Sequence, residues 1–199
     1  MITANPRILG LFAVCAFTAA FILAVAAGAQ ESKTLRVEAK EAESLMQDAV
    51  GPEVGSKWAL LVGINRYEYP VSGGFNITPL KVAVRDAHTL SQFLTNPTQA
   101  GFPPEQVFTL TDEAATKRNI LLTLNDIVMK AGDKDLVLIY FSGHGFHDQK
   151  RDLTYLLPYD AEMQDASTTC IALRDLRDKF DDLSANKVVT ILDACHSGG

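Results

Sequence analysis

The sequence predicts an α/β fold in which helices cover both faces of a mostly parallel sheet. Short apolar runs alternate along the chain with segments whose apolar residues recur at helical spacing. The runs are apolar at successive positions, which is typical of strands that are buried on both faces. Two of these runs lead into glycine-flanked residues, a histidine and a cysteine, and we expect the functional site there.

The first half of the pattern starts with a continuous apolar run over residues 58–64, which is predicted as the first strand. Helical spacing covers residues 82–94, and residues 106–110 form the second predicted strand. Another helix is expected from Thr116 onward, because apolar residues recur three and four positions apart after it.

The second half repeats the alternation. Residues 136–141 are predicted as the third strand and residues 188–192 as the fourth, and helical spacing over residues 173–183 indicates a helix between them. Residues 153–157, which precede Pro158, are predicted to form a short hairpin on the loop side of the sheet.

The N-terminal segment, residues 1–29, predicts export from the cytoplasm. Residues 8–28 are almost entirely apolar, Arg7 precedes them, and the Ala-Gly-Ala segment at 27–29 fits a signal-peptidase site. The run is long for a signal core and close to the ~20 residues that span a bilayer. Two outcomes therefore stay open, a cleaved signal peptide with a periplasmic or secreted protein, and an uncleaved anchor in the cytoplasmic membrane.

The rest of the chain is acidic. The 199 residues include 18 basic and 24 acidic side chains, a net charge of −6, and no Asp or Glu precedes Glu31. This balance disfavours nucleic acid and anionic membranes as partners, so we expect membrane contact only through the N-terminal segment. Residues 30–56 are charged and poor in apolar residues, and they are predicted to form a linker.

Two segments carry the candidate chemistry. The third predicted strand leads into Ser-Gly-His-Gly at 142–145, and the fourth leads into Asp-Ala-Cys-His-Ser-Gly at 193–198. Sites in α/β sheets lie at the carboxyl ends of strands, and neighbouring strands are about 4.8 Å apart. If these strands are neighbours, His144 and Cys195 share one crevice, as a cysteine nucleophile and its histidine base require. The flanking glycines favour this interpretation over a structural cysteine, because glycine permits positive φ and close backbone approach to a ligand.

These motifs resemble the caspase-type cysteine peptidases, most closely their metacaspase-like, bacterial-type branch. The opening strand at 58–65 and the Leu-Lys-Val-Ala-Val-Arg-Asp-Ala segment at 80–87 extend the resemblance, which covers residues 57–199. It implies a caspase-like three-layer sandwich with a mostly parallel sheet as the catalytic domain. In that family two further strands follow the cysteine. The resemblance therefore implies an incomplete, truncated domain whose C-terminal strands are missing, with a C-terminal segment as its expected partner.

The same resemblance assigns the catalytic roles. It implies that His144 and Cys195 form a dyad, without a third catalytic side chain. The backbone N–H groups of Gly145 and Cys195 are expected to form the oxyanion hole that stabilises the tetrahedral intermediate.

Substrate preference also follows from the resemblance. Asp86, Ser142 and Asp193 match the residues with which metacaspase-like enzymes hold an Arg or Lys before the scissile bond. Carboxylates form charge-assisted hydrogen bonds with a guanidinium, so a basic substrate residue is the physical expectation. Arg85 stands where that branch usually has asparagine, and we expect it to neutralise part of the Asp86 charge. The structural alternative for Asp86 is a solvated or capping carboxylate.

No metal or other cofactor is expected at the site. His147 and His196 lie near the dyad in sequence, but Cys195 and His196 are adjacent and point in opposite directions from an extended segment, which disfavours a zinc site. Some relatives need calcium, and that requirement stays open because the acidic loop residues match no calcium-binding motif. These acidic residues are Asp148, Asp152, Asp160 and Asp165.

The leading hypothesis is an exported cysteine endopeptidase that cleaves peptide or protein substrates after Arg or Lys. One alternative is an inactive caspase-fold module for binding or scaffolding, which the missing C-terminal strands favour. Another is a thiol hydrolase outside proteolysis that uses the same dyad. Cys170 is expected to be a half-buried structural residue at a helix start rather than a nucleophile.

Overall fold

The computed structural model describes residues 54–196, with the backbone alone for Cys195 and His196. The predicted signal or anchor at 1–29 and most of the predicted linker at 30–56 lie outside the described residues. Within residues 54–196, no helix combines the length and the apolar character that a membrane crossing requires.

The described part alternates strands and helices as the sequence predicts. The strands are β1 (Lys57–Gly63), β2 (Val71–Ser72), β3 (Phe75–Asn76), β4 (Val107–Thr111), β5 (Leu136–Asp148), β6 (Leu153–Leu156), β7 (Ile171–Ala172) and β8 (Lys187–His196). The helices are α1 (Ala83–Thr95), α2 (Lys117–Lys130), α3 (Ala166–Thr169) and α4 (Leu173–Asp181). Short 3₁₀ turns cover Pro104–Gln106, Asp112–Ala114 and Met163–Asp165. The β2–β3 hairpin, β7 and α3 have no counterpart in the sequence pattern.

The four predicted strands form a parallel sheet in the order β4-β1-β5-β8. The β1–β4 connection contains α1, and the β4–β5 connection contains α2. Thr116 fixes the start of α2, because its side chain accepts a hydrogen bond from the Asn119 N–H. Among the described residues, β8 pairs with β5 alone.

β5 is about twice as long as predicted and changes its partner midway. It runs parallel to β1 from Leu136 to Ser142 and antiparallel to β6 from Gly145 to Asp148. The predicted strand end at Phe141 is therefore wrong, because β6 and β8 supply hydrogen-bond partners beyond that point. The Ser-Gly-His-Gly segment lies inside a strand, and β8 likewise continues beyond its predicted end at residue 192.

Helices cover both faces of the sheet and enclose two separate apolar cores. On one face, α1 packs through Ala87 and Leu94 against β1 and β5. On the other face, α2 and α4 pack through Leu124 and Leu176 against the alternate residues of the same strands. The result is the three-layer α/β sandwich that the sequence predicts.

Candidate active site

β5 and β8 bring His144 and Cys195 to directly opposite positions in the sheet. Opposite residues on neighbouring parallel strands lie about 4.8 Å apart and on the same face. That face is the one covered by α1, because Leu138 and Tyr140, which alternate with the same parity as His144, belong to the core on that side. The expectation that the two strands are neighbours is confirmed by this register.

A backbone carbonyl orients the imidazole of His144. The Nε2 atom of the ring lies 2.7 Å from the carbonyl oxygen of Thr78, in the segment between β1 and α1. A carbonyl oxygen can only accept, so Nε2 carries the hydrogen, and Nδ1 of the neutral ring is left to accept a proton. The ring is therefore held in the tautomer that a general base needs, with no third side chain involved in that contact.

A tyrosine that the sequence analysis did not single out holds the backbone of the same residue. The hydroxyl oxygen of Tyr67 accepts a hydrogen bond of 2.8 Å from the His144 N–H, and the two rings lie 5.6 Å apart between centroids. Tyr67 and Thr78 both belong to the β1–α1 segment. The available sequence signal is a pair of tyrosines, Tyr67 and Tyr69, just after a strand end, which packing explains equally well.

The glycine before the histidine is needed for space rather than for positive φ. Among the described residues, the glycines with positive φ are Gly73, Gly74 and Gly101, so the predicted role of positive φ is wrong for Gly143. A Cβ atom at Gly143 would lie 3.0 Å from the Phe141 ring and 3.2 Å from the Tyr67 hydroxyl. The close backbone approach involves the protein's own aromatic side chains.

The three predicted pocket residues come together beside the dyad. Ser142 lies opposite Asp193 in the β5–β8 register, and its hydroxyl donates a hydrogen bond of 3.1 Å to Asp193 Oδ2. Asp86 is buried on α1. The guanidinium of Arg85 lies 3.4 Å from Asp86 Oδ1, and the Arg85 side chain is 56% exposed. Asp86 caps no helix here, since α1 begins at Ala83 without a side-chain cap.

The pocket is an unfavourable place for negative charge in the free protein. Burial raises the pKa of the Asp193 carboxyl, and the nearby Asp86 carboxylate raises it further, against the opposing effect of the Ser142 hydrogen bond. Burial also raises the pKa of Tyr140 to about 12, and the same two carboxylates contribute. An Asp193 carboxyl that is disfavoured in its ionised form by burial and by a second carboxylate nearby makes the pocket complementary to a cation.

The two predicted oxyanion donors lie on adjacent strands, one residue out of register. Gly145 follows His144 in β5 and lies opposite Leu156 of β6 and His196 of β8. Cys195 precedes His196 in β8. Their role as oxyanion donors stays a prediction.

The other candidate ligands do not gather into one cluster, although His147 Nε2 lies 3.7 Å from Asp152 Oδ1. Nδ1 of His147 is 3.1 Å from the Thr154 hydroxyl, on the β5–β6 hairpin. Asp148 binds Arg151, and Asp160 accepts a hydrogen bond from the Lys117 N–H at the start of α2. In the described part of the chain, no three His, Cys, Asp or Glu residues are grouped as ligands for one metal ion. The four loop aspartates considered for calcium therefore do not form one site.

Cys170 is a buried, free thiol at the end of α3. It is 1% exposed, so the prediction of a half-buried residue at a helix start is wrong in both respects. Burial raises the pKa of its thiol to about 11, which keeps it protonated and unreactive at neutral pH.

Comparison with known proteins shows the family of this chain. Residues 56–199 match the family model described as the caspase domain, Peptidase_C14. Metacaspase-7 of Arabidopsis thaliana is 31% identical over 159 residues, which cover 72% of this chain and 35% of the relative. Metacaspase-1 of Yarrowia lipolytica is 29% identical over 163 residues, which cover 72% of this chain and 32% of the relative. The chain thus spans about a third of the length of these relatives.

A solved structure shares the fold. The crystal structure of protein GSU0716 from Geobacter sulfurreducens superposes with a TM-score of 0.58 at 23% identity, over 73% of this chain and 52% of that one. The family model covers most of the chain, including both strands of the candidate dyad. This chain belongs to the caspase domain family, Peptidase_C14.

Proposed function

We propose that this chain carries the catalytic segment of a cysteine endopeptidase that cleaves after Arg or Lys. The observation that carries the proposal is the register of β5 and β8, which sets His144 opposite Cys195 while the Thr78 carbonyl fixes the histidine tautomer. A histidine whose Nδ1 is free to accept a proton, across the sheet from a cysteine, is the arrangement that nucleophilic catalysis by a thiol needs.

The proposed chemistry uses these two residues in both half-reactions. Nδ1 of His144 takes the thiol proton of Cys195, and the thiolate attacks the carbonyl carbon of the scissile bond. The backbone N–H groups of Gly145 and Cys195 are the proposed donors to the oxyanion. The imidazolium then protonates the leaving amine as the C–N bond breaks. A water molecule, deprotonated by the imidazole, hydrolyses the thioester and restores the thiol.

The two carboxyl groups of the pocket, Asp86 and Asp193, support a basic substrate residue before the scissile bond. Burial and the Asp86 carboxylate raise the pKa of Asp193 in the free protein, and a guanidinium or ammonium group would offset both effects. The Ser142 hydroxyl orients Asp193 within this pocket. An acidic substrate residue would add a third negative charge there, which repulsion between like charges disfavours.

Labelling of the full-length protein tests the dyad. A peptide chloromethyl ketone ending in Arg should alkylate Cys195, as read by mass spectrometry of the tryptic peptides. Cys195→Ala and His144→Ala should each abolish labelling and peptide hydrolysis, whereas Cys170→Ala, which removes a buried thiol, should retain both. Labelling of Cys170 with Cys195 untouched would identify the wrong nucleophile.

The same experiment separates the alternative functions. Folded protein without labelling or hydrolysis would support the binding or scaffold module. Labelling of Cys195 together with hydrolysis of a simple thioester, but of no peptide in an Arg and Lys library, would support a thiol hydrolase outside proteolysis.

Export and the absence of a cofactor are also part of the proposal. N-terminal sequencing of the fractionated protein should give a start at Gln30 for a cleaved signal, and a membrane-bound protein starting at Met1 for an anchor. A cytosolic protein starting at Met1 would contradict export. The calcium requirement stays open, and hydrolysis measured with a calcium chelator and again after calcium is restored decides it.

A further inference from the structure

The backbone N–H of His144 lies where β5 changes its partner. β5 pairs with β1 as far as Ser142, and with β6 from Gly145 onward. The His144 carbonyl accepts a hydrogen bond from the Leu157 N–H, so the His144 N–H faces the same edge of the strand. In the described part of the chain, the pairings with β1 and β6 stop on either side of this N–H. The Tyr67 hydroxyl fills this gap with its hydrogen bond of 2.8 Å.

Tyr67 is buried at this position, and its hydroxyl stays protonated. Its side chain is 7% exposed, and burial raises the pKa of its hydroxyl well above the ordinary range, which keeps the phenol neutral. Its oxygen approaches the strand at Gly143, where a Cβ atom would come within 3.2 Å of it. A buried N–H without a partner is costly, so the hydroxyl matters to the strand beyond the packing of the ring.

The segment that carries Tyr67 is itself fixed at both ends. The Asn65 carbonyl accepts a hydrogen bond of 2.8 Å from the Leu80 N–H, which closes the β1–α1 segment on itself. Asp112, at the end of β4, accepts hydrogen bonds from the Asn65 and Arg66 N–H groups. Thr78 lies within this closed segment. One closed segment of chain therefore holds the His144 backbone through Tyr67 and the imidazole through the Thr78 carbonyl.

We propose that Tyr67 is a positioning residue for the general base, which it serves by setting the backbone of His144 between the two partner strands. The proposal rests on the proposed function, since it concerns the geometry of the same dyad. A displacement of about 1 Å in a reacting group can cost about a hundredfold in rate. Tyr67 contacts neither Asp86 nor Asp193 through a hydrogen bond, so its loss should alter turnover and leave binding of the basic side chain unchanged.

The test replaces the hydroxyl and keeps the ring, as Tyr67→Phe in the full-length protein. Peptide hydrolysis should show kcat lowered by roughly 10- to 100-fold, with KM within about twofold of wild type. The second measurement is the pH dependence of Cys195 alkylation by iodoacetamide, followed by mass spectrometry. Its midpoint should rise toward the ~8.5 of a free thiol, because thiolate formation depends on the imidazole.

Tyr155→Phe is the matched control. Tyr155 is a buried tyrosine on β6, and its hydroxyl makes no hydrogen bond to the residues whose side chains the structure describes. This variant should match wild type in kcat and in alkylation midpoint. If Tyr67→Phe unfolds, Gly143→Ala provides a second route, because its Cβ pushes the Tyr67 hydroxyl away while the phenol remains.

The two readouts separate this inference from the proposed function. A wild-type protein that hydrolyses peptides, with Tyr67→Phe equal to it in kcat and midpoint, would overturn the positioning role alone. A wild type that hydrolyses nothing but shows a depressed midpoint that rises in Tyr67→Phe would overturn the peptidase and support the positioning. A wild-type midpoint near 8.5 would overturn both.

Discussion

The hydroxyl of Ser142 donates a hydrogen bond of 3.1 Å to the Asp193 carboxylate across two neighbouring parallel strands. Two positions further along the same strands, His144 lies opposite Cys195. Because residues two apart on a strand share a face, the pocket and the dyad lie side by side on the α1 face of the sheet. A side chain bound at Asp193 would therefore leave the next peptide bond beside the dyad, and pocket variants should affect cleavage directly.

Asp193→Ala should lower kcat/KM for an Arg-containing peptide by about two orders of magnitude or more. Removal of one partner of a buried carboxylate–guanidinium pair costs roughly 2–5 kcal/mol, and each factor of ten corresponds to about 1.4 kcal/mol. Asp86→Ala should cost less, since Arg85 already offsets its charge. Steady-state kinetics with matched Arg and Asp peptides measures both effects.

Asp126→Ala is the control for these pocket variants, because Asp126 is an exposed carboxylate on α2 that pairs with Lys130. It should leave kcat/KM unchanged. A preference of the wild type for Asp before the scissile bond would contradict the pocket assignment while leaving the dyad hypothesis intact.

Arg85→Ala should raise kcat/KM for Arg peptides by up to about fivefold. The Arg85 guanidinium lies 3.4 Å from Asp86 Oδ1, so it competes with a substrate guanidinium for the same carboxylate. The effect is small because the Arg85 side chain is more than half exposed to water, and ion pairs with a solvated partner at the surface contribute about 0–1 kcal/mol. Arg174→Ala is a matched control, since Arg174 pairs with the adjacent Asp175 on α4. A decrease in kcat/KM on removal of Arg85 would show that it assists binding.

Asp193→Asn should raise the melting temperature at pH 7 but not at low pH. Burial and Asp86 hold the pKa of Asp193 above its ordinary value in the folded state. Its contribution to the free energy of unfolding is therefore fully present below the unfolded pKa of ~3.9 and is lost as pH rises through the folded pKa. Asn removes that loss and can still accept the Ser142 hydrogen bond.

Thermal unfolding at pH 7 and at pH 3.5 checks this prediction. The stabilisation by Asn should be present at pH 7 and absent at pH 3.5. A lower melting temperature of Asp193→Asn at pH 7 would mean that the ionised carboxylate stabilises the free protein, which contradicts the raised pKa of Asp193.

The sequence predicts the sheet and its neighbours well because strand identity depends on apolar runs. The four predicted strands and the juxtaposition of His144 with Cys195 are confirmed. Strand ends were predicted poorly, since β5 continues beyond Phe141 only because β6 and β8 pair with it. Pairing between distant segments decides where a strand stops, and no local pattern contains that information.

The contacts that hold the histidine were not predictable for a related reason. Thr78 contributes a backbone carbonyl, an atom that every residue has. Tyr67 contributes a hydroxyl whose target is 77 residues away in sequence. By contrast, the pocket residues Ser142 and Asp193 flank the dyad at a spacing of two, a pattern that is visible in the sequence once the strands are assigned.

Gly63→Ala should both destabilise the fold and weaken substrate binding in the pocket. A Cβ atom at Gly63 would lie 2.5 Å from the Ala83 carbonyl oxygen and 2.8 Å from the Ala87 Cβ, so α1 has to move away from β1. Overpacking of this kind costs about 1–3 kcal/mol. Because α1 carries Asp86, the shift should also weaken the pocket and raise KM for an Arg peptide. Alkylation of Cys195 should keep its pH midpoint, since Tyr67 and Thr78 precede α1 and still hold His144.

The control for this variant is Gly132→Ala, where the nearest atom to the added Cβ is Asp135 Oδ2 at 4.0 Å. It should leave KM unchanged. It should also shift the melting temperature by no more than about 2 °C, which corresponds to less than about 1 kcal/mol. If Gly63→Ala lowers the melting temperature but leaves KM unchanged, α1 has relaxed without displacing Asp86, and the close approach of α1 to β1 serves stability alone. If both the pH midpoint of Cys195 alkylation and KM change in Gly63→Ala, the β1–α1 segment shifts together with α1. A displacement of α1 would then affect the proposed dyad as well as the pocket.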